Sequence, residues 1–102
     1  MLPDLVSEKE LAALAAENRS LVLLFHADWS KPCRLFSPVV EQAAALAPAD
    51  AVFARMDADS FPAAAEKYGV RSLPTLVIFR DGKPVRRSVG LQTPAGILEQ
   101  LR

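Results

Sequence analysis

A chain of 102 residues has room for one folded domain around one core, spanning residues 1–102, because domains cluster at about 100 to 150 residues. Its make-up, 51% hydrophobic and 24% charged, is that of an ordinary globular protein and excludes a disordered or low-complexity chain. Twelve basic residues balance twelve acidic ones, so charge supplies no case for binding nucleic acid or an anionic membrane surface.

Leu2, Leu5 and Val6 predict a short edge strand at the start, a place where Pro3 is tolerated because an edge can spare a donor. Ser7 and Glu10 have the spacing of a capping box, and Leu11, Leu14 and Ala15 recur behind it on one helical face, so a helix is expected from Ser7 to near Asn18. Leu21 to Phe25 is a continuous apolar run of the length and type of a buried strand. A second helix is predicted from Ser30 to Leu46, with Leu35, Val39, Ala43 and Leu46 as its apolar stripe and a kink at Pro38. Val52 to Met56 is the next strand, parallel to the first because a helical crossover separates them. A turn over Asp57 to Ser60 follows, then a short helix from Pro62 to Tyr68 with Ser60 as N-cap and Gly69 as its left-handed stop. Thr75 to Phe79 is rich in β-branched and aromatic residues, and Asp81-Gly82 is a hairpin signal, so Pro84 to Val89 should return antiparallel. Thr93-Pro94 reads as N-cap and first position of a last helix that turns Ile97, Leu98 and Leu101 to the core. The order β-α-β-α-β-α-β-β-α predicts an α/β fold in which a mixed central sheet carries helices on both faces.

The corner after the first apolar run is where chemistry is expected, since helix N-termini point free N–H groups outside the carboxyl ends of sheet strands. There the chain reads Trp29-Ser30-Lys31-Pro32-Cys33. This stretch resembles the Trp-Cys-x-Pro-Cys active site of the thioredoxin family with its first cysteine written as serine. Tyr68-Gly69-Val70-Arg71-Ser72-Leu73-Pro74-Thr75 resembles that family's cis-proline segment, Phe79-Arg80-Asp81-Gly82-Lys83 its hairpin turn, and Val89-Gly90 its glycine before the last helix. The four motifs fall in the family's order over nearly the whole chain. The resemblance implies a thioredoxin fold, thiol–disulfide exchange on protein disulfides or peptides, no cofactor, and thioredoxin reductase or glutathione as the source of reducing equivalents. It further implies that Cys33 matches the inner, resolving thiol and Ser30 the outer, attacking one. Leu73–Pro74 would then be a cis bond, and Trp29, Pro32, Leu73, Pro74, Gly90 and Leu91 would rim a shallow apolar groove for a peptide strand.

Each of these residues also has a plainer reading. Cys33, the sole cysteine, can be a small buried hydrophobe, although a helix start flanked by Lys31 and Arg34 is a setting that favours a thiolate. Ser30 is a preferred N-cap whose hydroxyl could accept from the Cys33 N–H, and a serine cannot exchange sulfur. His26 and Asp28 stand close enough in sequence to suggest a Ser-His-Asp triad, but on a strand end and its turn their side chains diverge and no nucleophile elbow is present. His26 is therefore expected as a half-buried residue at the strand end. Leu24 stands where the family commonly has a buried aspartate that assists proton transfer to the inner cysteine. Two departures at one site read as a lineage relaxed from dithiol catalysis, and an introduced Cys→Ser change would look the same at position 30. The alternative function is a peptide- or protein-binding module that keeps the groove without turnover.

One cysteine and one histidine are too few soft ligands for a closed structural zinc site. The apolar runs fall short of a bilayer span, and Pro3, Asp4, Ser7, Glu8 and Lys9 break up any signal-peptide pattern. A cytoplasmic monomer is the expectation. Arg80, Lys83, Arg86 and Arg87 make the hairpin basic, as suits a solvated edge that resists aggregation.

Overall fold

The computed structural model describes residues 2–102; Met1, the first residue of the expected domain, lies outside them. Eight elements follow in order: α1 (Glu8–Glu17), β1 (Ser20–His26), α2 (Lys31–Leu46), β2 (Ala51–Asp57), α3 (Pro62–Lys67), β3 (Thr75–Arg80), β4 (Lys83–Val89) and α4 (Pro94–Glu99). The strands form one mixed sheet in the order β2-β1-β3-β4, with β1 parallel to β2 and antiparallel to β3, and β3 antiparallel to β4.

β1 is buried along its whole length because it is central and covered on both faces. Side chains alternate across a strand, so its apolar run divides between two cores. Leu21, Leu23 and Phe25 join Leu11 and Ala15 of α1 and Ala64 and Ala65 of α3. Val22 and Leu24 join Phe36, Val40 and Ala43 of α2 and Ile97 of α4. Helices therefore cover both faces, as the order of elements predicts.

The caps follow the sequence at three of the four helices. Ser7 Oγ accepts from the Glu10 N–H at 3.0 Å, and Thr93 Oγ1 accepts from the Gly96 N–H at 3.0 Å. Ser30 Oγ accepts from the Cys33 N–H at 3.3 Å at the head of α2. α3 departs from expectation: its N-cap is Phe61, not Ser60, with no side-chain cap bond. The competing acceptor is Asp57, whose Oδ1 takes the N–H groups of Asp59 and Ser60 at 2.8 and 3.1 Å and fixes the turn before the helix begins.

Two further expectations are corrected. The initial segment forms no strand of its own; a single parallel bridge joins Asp4 to Arg55, with Leu5 N–H donating to Arg55 C=O and Arg55 N–H to Pro3 C=O. Pro3 has no N–H to extend a ladder, and Ser7 starts α1 too soon for one to form. In α2 the buried stripe is Cys33, Phe36, Val40 and Ala43, whereas Leu35 and Leu46 are 57% and 69% exposed and Val39 is half-buried. Two stripes with helical spacing overlap at Ala43, and the one that buries the phenyl ring of Phe36 removes more apolar area from water. The helix runs unbroken through Pro38, which faces solvent.

Asp81 and Gly82 both have positive φ, 52° and 83°, the backbone that a tight two-residue hairpin requires. Among the described residues no helix is long and apolar enough to cross a membrane.

Candidate functional site

The sheet itself gathers the site. Phe25, next to the end of β1, pairs with Thr75 at the start of β3, and Thr75 pairs with Val89 at the end of β4. Three segments therefore meet at one end of the sheet: the turn from β1 into α2, the Leu73-Pro74 segment, and Gly90-Leu91.

In the first segment the Ser30 N–H donates to the Ala27 carbonyl at 3.1 Å, turning the chain so that Ser30 caps α2. Pro32 lies exposed in the first turn, while Cys33, one position on, is only 2% exposed. The Arg34 guanidinium donates to the Asp28 carbonyl at 2.8 Å and ties the helix back to the turn. Trp29 is 70% exposed, and its indole Nε1–H donates to Asp59 Oδ2 at 2.7 Å. That bond anchors a large aromatic ring outside the core, and the sequence signals it only by an aspartate-rich turn after β2.

In the second and third segments the Leu73–Pro74 peptide bond is cis, and the Pro74 carbonyl accepts from the Gly90 N–H at 2.9 Å. Gly90 has φ +88°, a conformation that suits glycine. Thr75, fully buried, satisfies its hydroxyl by donating to the Ser72 carbonyl at 2.6 Å. Leu91 is 60% exposed. Pro74, expected on the groove rim, is buried, because Gly90 and the paired strands close over it. Leu73 is half-buried and packs with Val70 and Tyr68 against the α1/α3 core, lining a separate cavity of about 390 Å³ with Ala58, Pro62 and Arg71. The exposed apolar surface at this end is thus Trp29, Pro32, Val89 and Leu91, with Leu73 and Gly90 partly exposed.

The triad is not assembled. His26, expected half-buried, is 5% exposed, with Nε2 3.6 Å from Asp4 Oδ1, and the Ser30 hydroxyl is engaged as the helix cap. Asp4 reaches His26 because the bridge to Arg55 brings the first residues alongside β2, and its Oδ1 also meets Arg55 Nε at 2.6 Å. Nothing local in the sequence announces this contact between residues far apart in the chain. Leu24 packs fully buried under α2. Among the described residues no group of three or more His, Cys, Asp or Glu side chains could hold a metal ion.

Comparisons with known proteins agree with this fold. The family model described as Thioredoxin matches residues 5–102. A thioredoxin of Chlamydia trachomatis is 42% identical over 97 residues, covering 94% of this chain and 92% of that protein. A thioredoxin-like protein of Synechocystis is 36% identical over 89 residues, 87% of this chain and 85% of its own. Among solved structures, a mutant thioredoxin from Halobacterium salinarum superposes with TM-score 0.88 at 38% identity, covering 96% of this chain and 85% of that one. A Fasciola hepatica thioredoxin gives 0.86 at 34% identity over 98% and 96%.

Proposed function

This chain belongs to the thioredoxin family, and from that premise we propose that it takes part in thiol–disulfide exchange with protein or peptide disulfides through one thiol, Cys33. The observation that carries the reading is the head of α2, where the Ser30 hydroxyl holds the Cys33 N–H at 3.3 Å and the sole thiol of the chain stands in the first helical turn. Dithiol turnover is impaired in this reading, because releasing a mixed disulfide takes a second thiol and position 30 supplies a hydroxyl. The release then falls to a small thiol such as glutathione, with a thioredoxin reductase as the other candidate reductant. A reducing compartment such as the cytoplasm suits a monomer working with one free thiol.

The test is to incubate the native protein with glutathione disulfide and read the adduct by mass spectrometry. One glutathionyl group on Cys33 is expected, stable until a small thiol is added, with reductase-coupled turnover far below that of a two-cysteine relative. A chain that resists modification when native but accepts it when unfolded overturns the exchange reading. It would favour a peptide- or protein-binding module without turnover, a second reading supported by the contrast between Cys33 at 2% exposure and Trp29 and Leu91 at 70% and 60%.

A further inference from the structure

The only histidine of the chain, His26, is nearly enclosed, with its side chain 7% exposed. Its Nε2 is buried and makes no hydrogen bond to the protein, with Asp4 Oδ1 3.6 Å away. Beside the imidazole opens a cavity of about 300 Å³ lined by His26, Asp28, Cys33, Arg34, Ser37 and Arg55. A space of this size, with Asp28, Arg34, Ser37 and Arg55 on its walls, has room for water. His26 and Cys33 therefore line one small cavity beside the head of α2.

We propose that His26 is the proton acceptor for Cys33, with Asp4 as the positioning residue that holds the imidazolium. Among the ionisable groups around the cavity, the imidazole is the one whose ordinary basicity lies nearest that of a thiol. From α2 and its leading turn come Arg34, a cation, and Asp28, a carboxylate and a weak base. From β2 come Arg55, a cation paired with Asp4, and Asp57, which stands opposite His26 in the register and already accepts the Asp59 and Ser60 N–H groups. Leu24 is apolar and the Ser30 hydroxyl caps the helix. An imidazole can take the proton, and Asp4 Oδ1, 3.6 Å from Nε2, then faces a positive ring.

In exchange the step balances as follows. The Cys33 S–H bond breaks and its proton passes to His26. The Cys33 sulfur bonds to one sulfur of the incoming disulfide as the S–S bond breaks. The other sulfur departs as a thiolate and takes up a proton from the imidazolium or from water, so that Cys33 is oxidised and the disulfide reduced. The use of the step rests on the exchange reading above, but the proton transfer itself can be measured with no disulfide present.

Two measurements test it. Alkylation of Cys33 by iodoacetamide across pH should slow about a hundredfold near neutrality in His26→Asn, the low end of what a positioned base supplies, and the profile should lose its histidine-dependent step. Ring resonances of His26, followed by NMR across pH in the otherwise unaltered protein, should titrate at a different midpoint once Cys33 is capped as a methyl disulfide, because coupling between two groups is reciprocal. This second measurement holds even if His26→Asn fails to fold or alkylation is too slow to follow. An identical His26 titration before and after capping overturns the proposal, as does an unaltered alkylation profile in a folded His26→Asn chain. Coupling between His26 and Cys33 in a chain that forms no mixed disulfide with glutathione disulfide upholds the proton acceptor and removes the exchange function instead.

Discussion

At position 30 a hydroxyl performs the structural half of what a thiol would do there: it accepts the Cys33 N–H and starts α2, but offers no sulfur for exchange. Ser30→Cys should therefore give a folded protein that oxidises internally with Cys33, seen as the loss of two hydrogens by mass spectrometry and of both free thiols. Its reductase-coupled reduction of a protein disulfide should exceed that of the parent about tenfold or more, since the second thiol frees the mixed disulfide. The weaker cap should lower unfolding free energy by about 1 kcal/mol in the reduced form, measured by urea titration. Leu24→Asp tests the floor of the site. Leu24 is fully buried among Val22, Phe36 and Ile97, so an aspartate there should destabilise the fold by about 3 kcal/mol or more at neutral pH. A variant of near-parental stability would mean that water or a partner reaches position 24. The cap at Ser30 is legible in the sequence because a hydroxyl acts over three residues. The enclosure of His26 is not, because it depends on Asp4 and Arg55 arriving from distant segments.

At the scale of the element, α2 separates what pattern reading resolves from what it leaves open. Its position, length and cap are fixed by local signals, whereas its rotation depends on which of two overlapping stripes the sheet receives. Phe36→Ala should cost about 3 to 5 kcal/mol by thermal or urea unfolding, and Leu35→Ala should stay within about 0.5 kcal/mol, because one side chain is fully buried and the other 57% exposed. Equal losses would restore the Leu35, Val39 and Leu46 stripe. The same distinction explains α3, whose proline and closing glycine are readable but whose cap yields to the Asp57 carboxylate. β1 needs no such choice of face, because both of its sides are apolar and both are covered.

For the whole molecule, the order β2-β1-β3-β4 leaves β4 as an edge, with Lys83, Pro84, Val85, Arg86, Arg87 and Val89 exposed. Charge is what keeps such an edge from pairing with another chain. Replacing Arg86 and Arg87 together with valine should leave the fold intact but produce concentration-dependent self-association, detectable by sedimentation velocity. A double variant that stays monomeric at millimolar concentration would assign the protection to Pro84 and the bulge at Ile78/Phe79 instead. The placement of β1 has a consequence for the birth of the protein on the ribosome. One neighbour of β1, β2, follows it after a single helix, but the other, β3, is made only when most of the chain has been synthesised. Until Thr75–Arg80 clears the exit tunnel, β1 exposes an open row of N–H and C=O groups beside uncovered leucines, and the nascent β1-α2-β2 unit is a surface that chaperones would hold. Release from that state should coincide with emergence of the hairpin, so folding is gated by translation of the C-terminal third, however early the N-terminal motif appears.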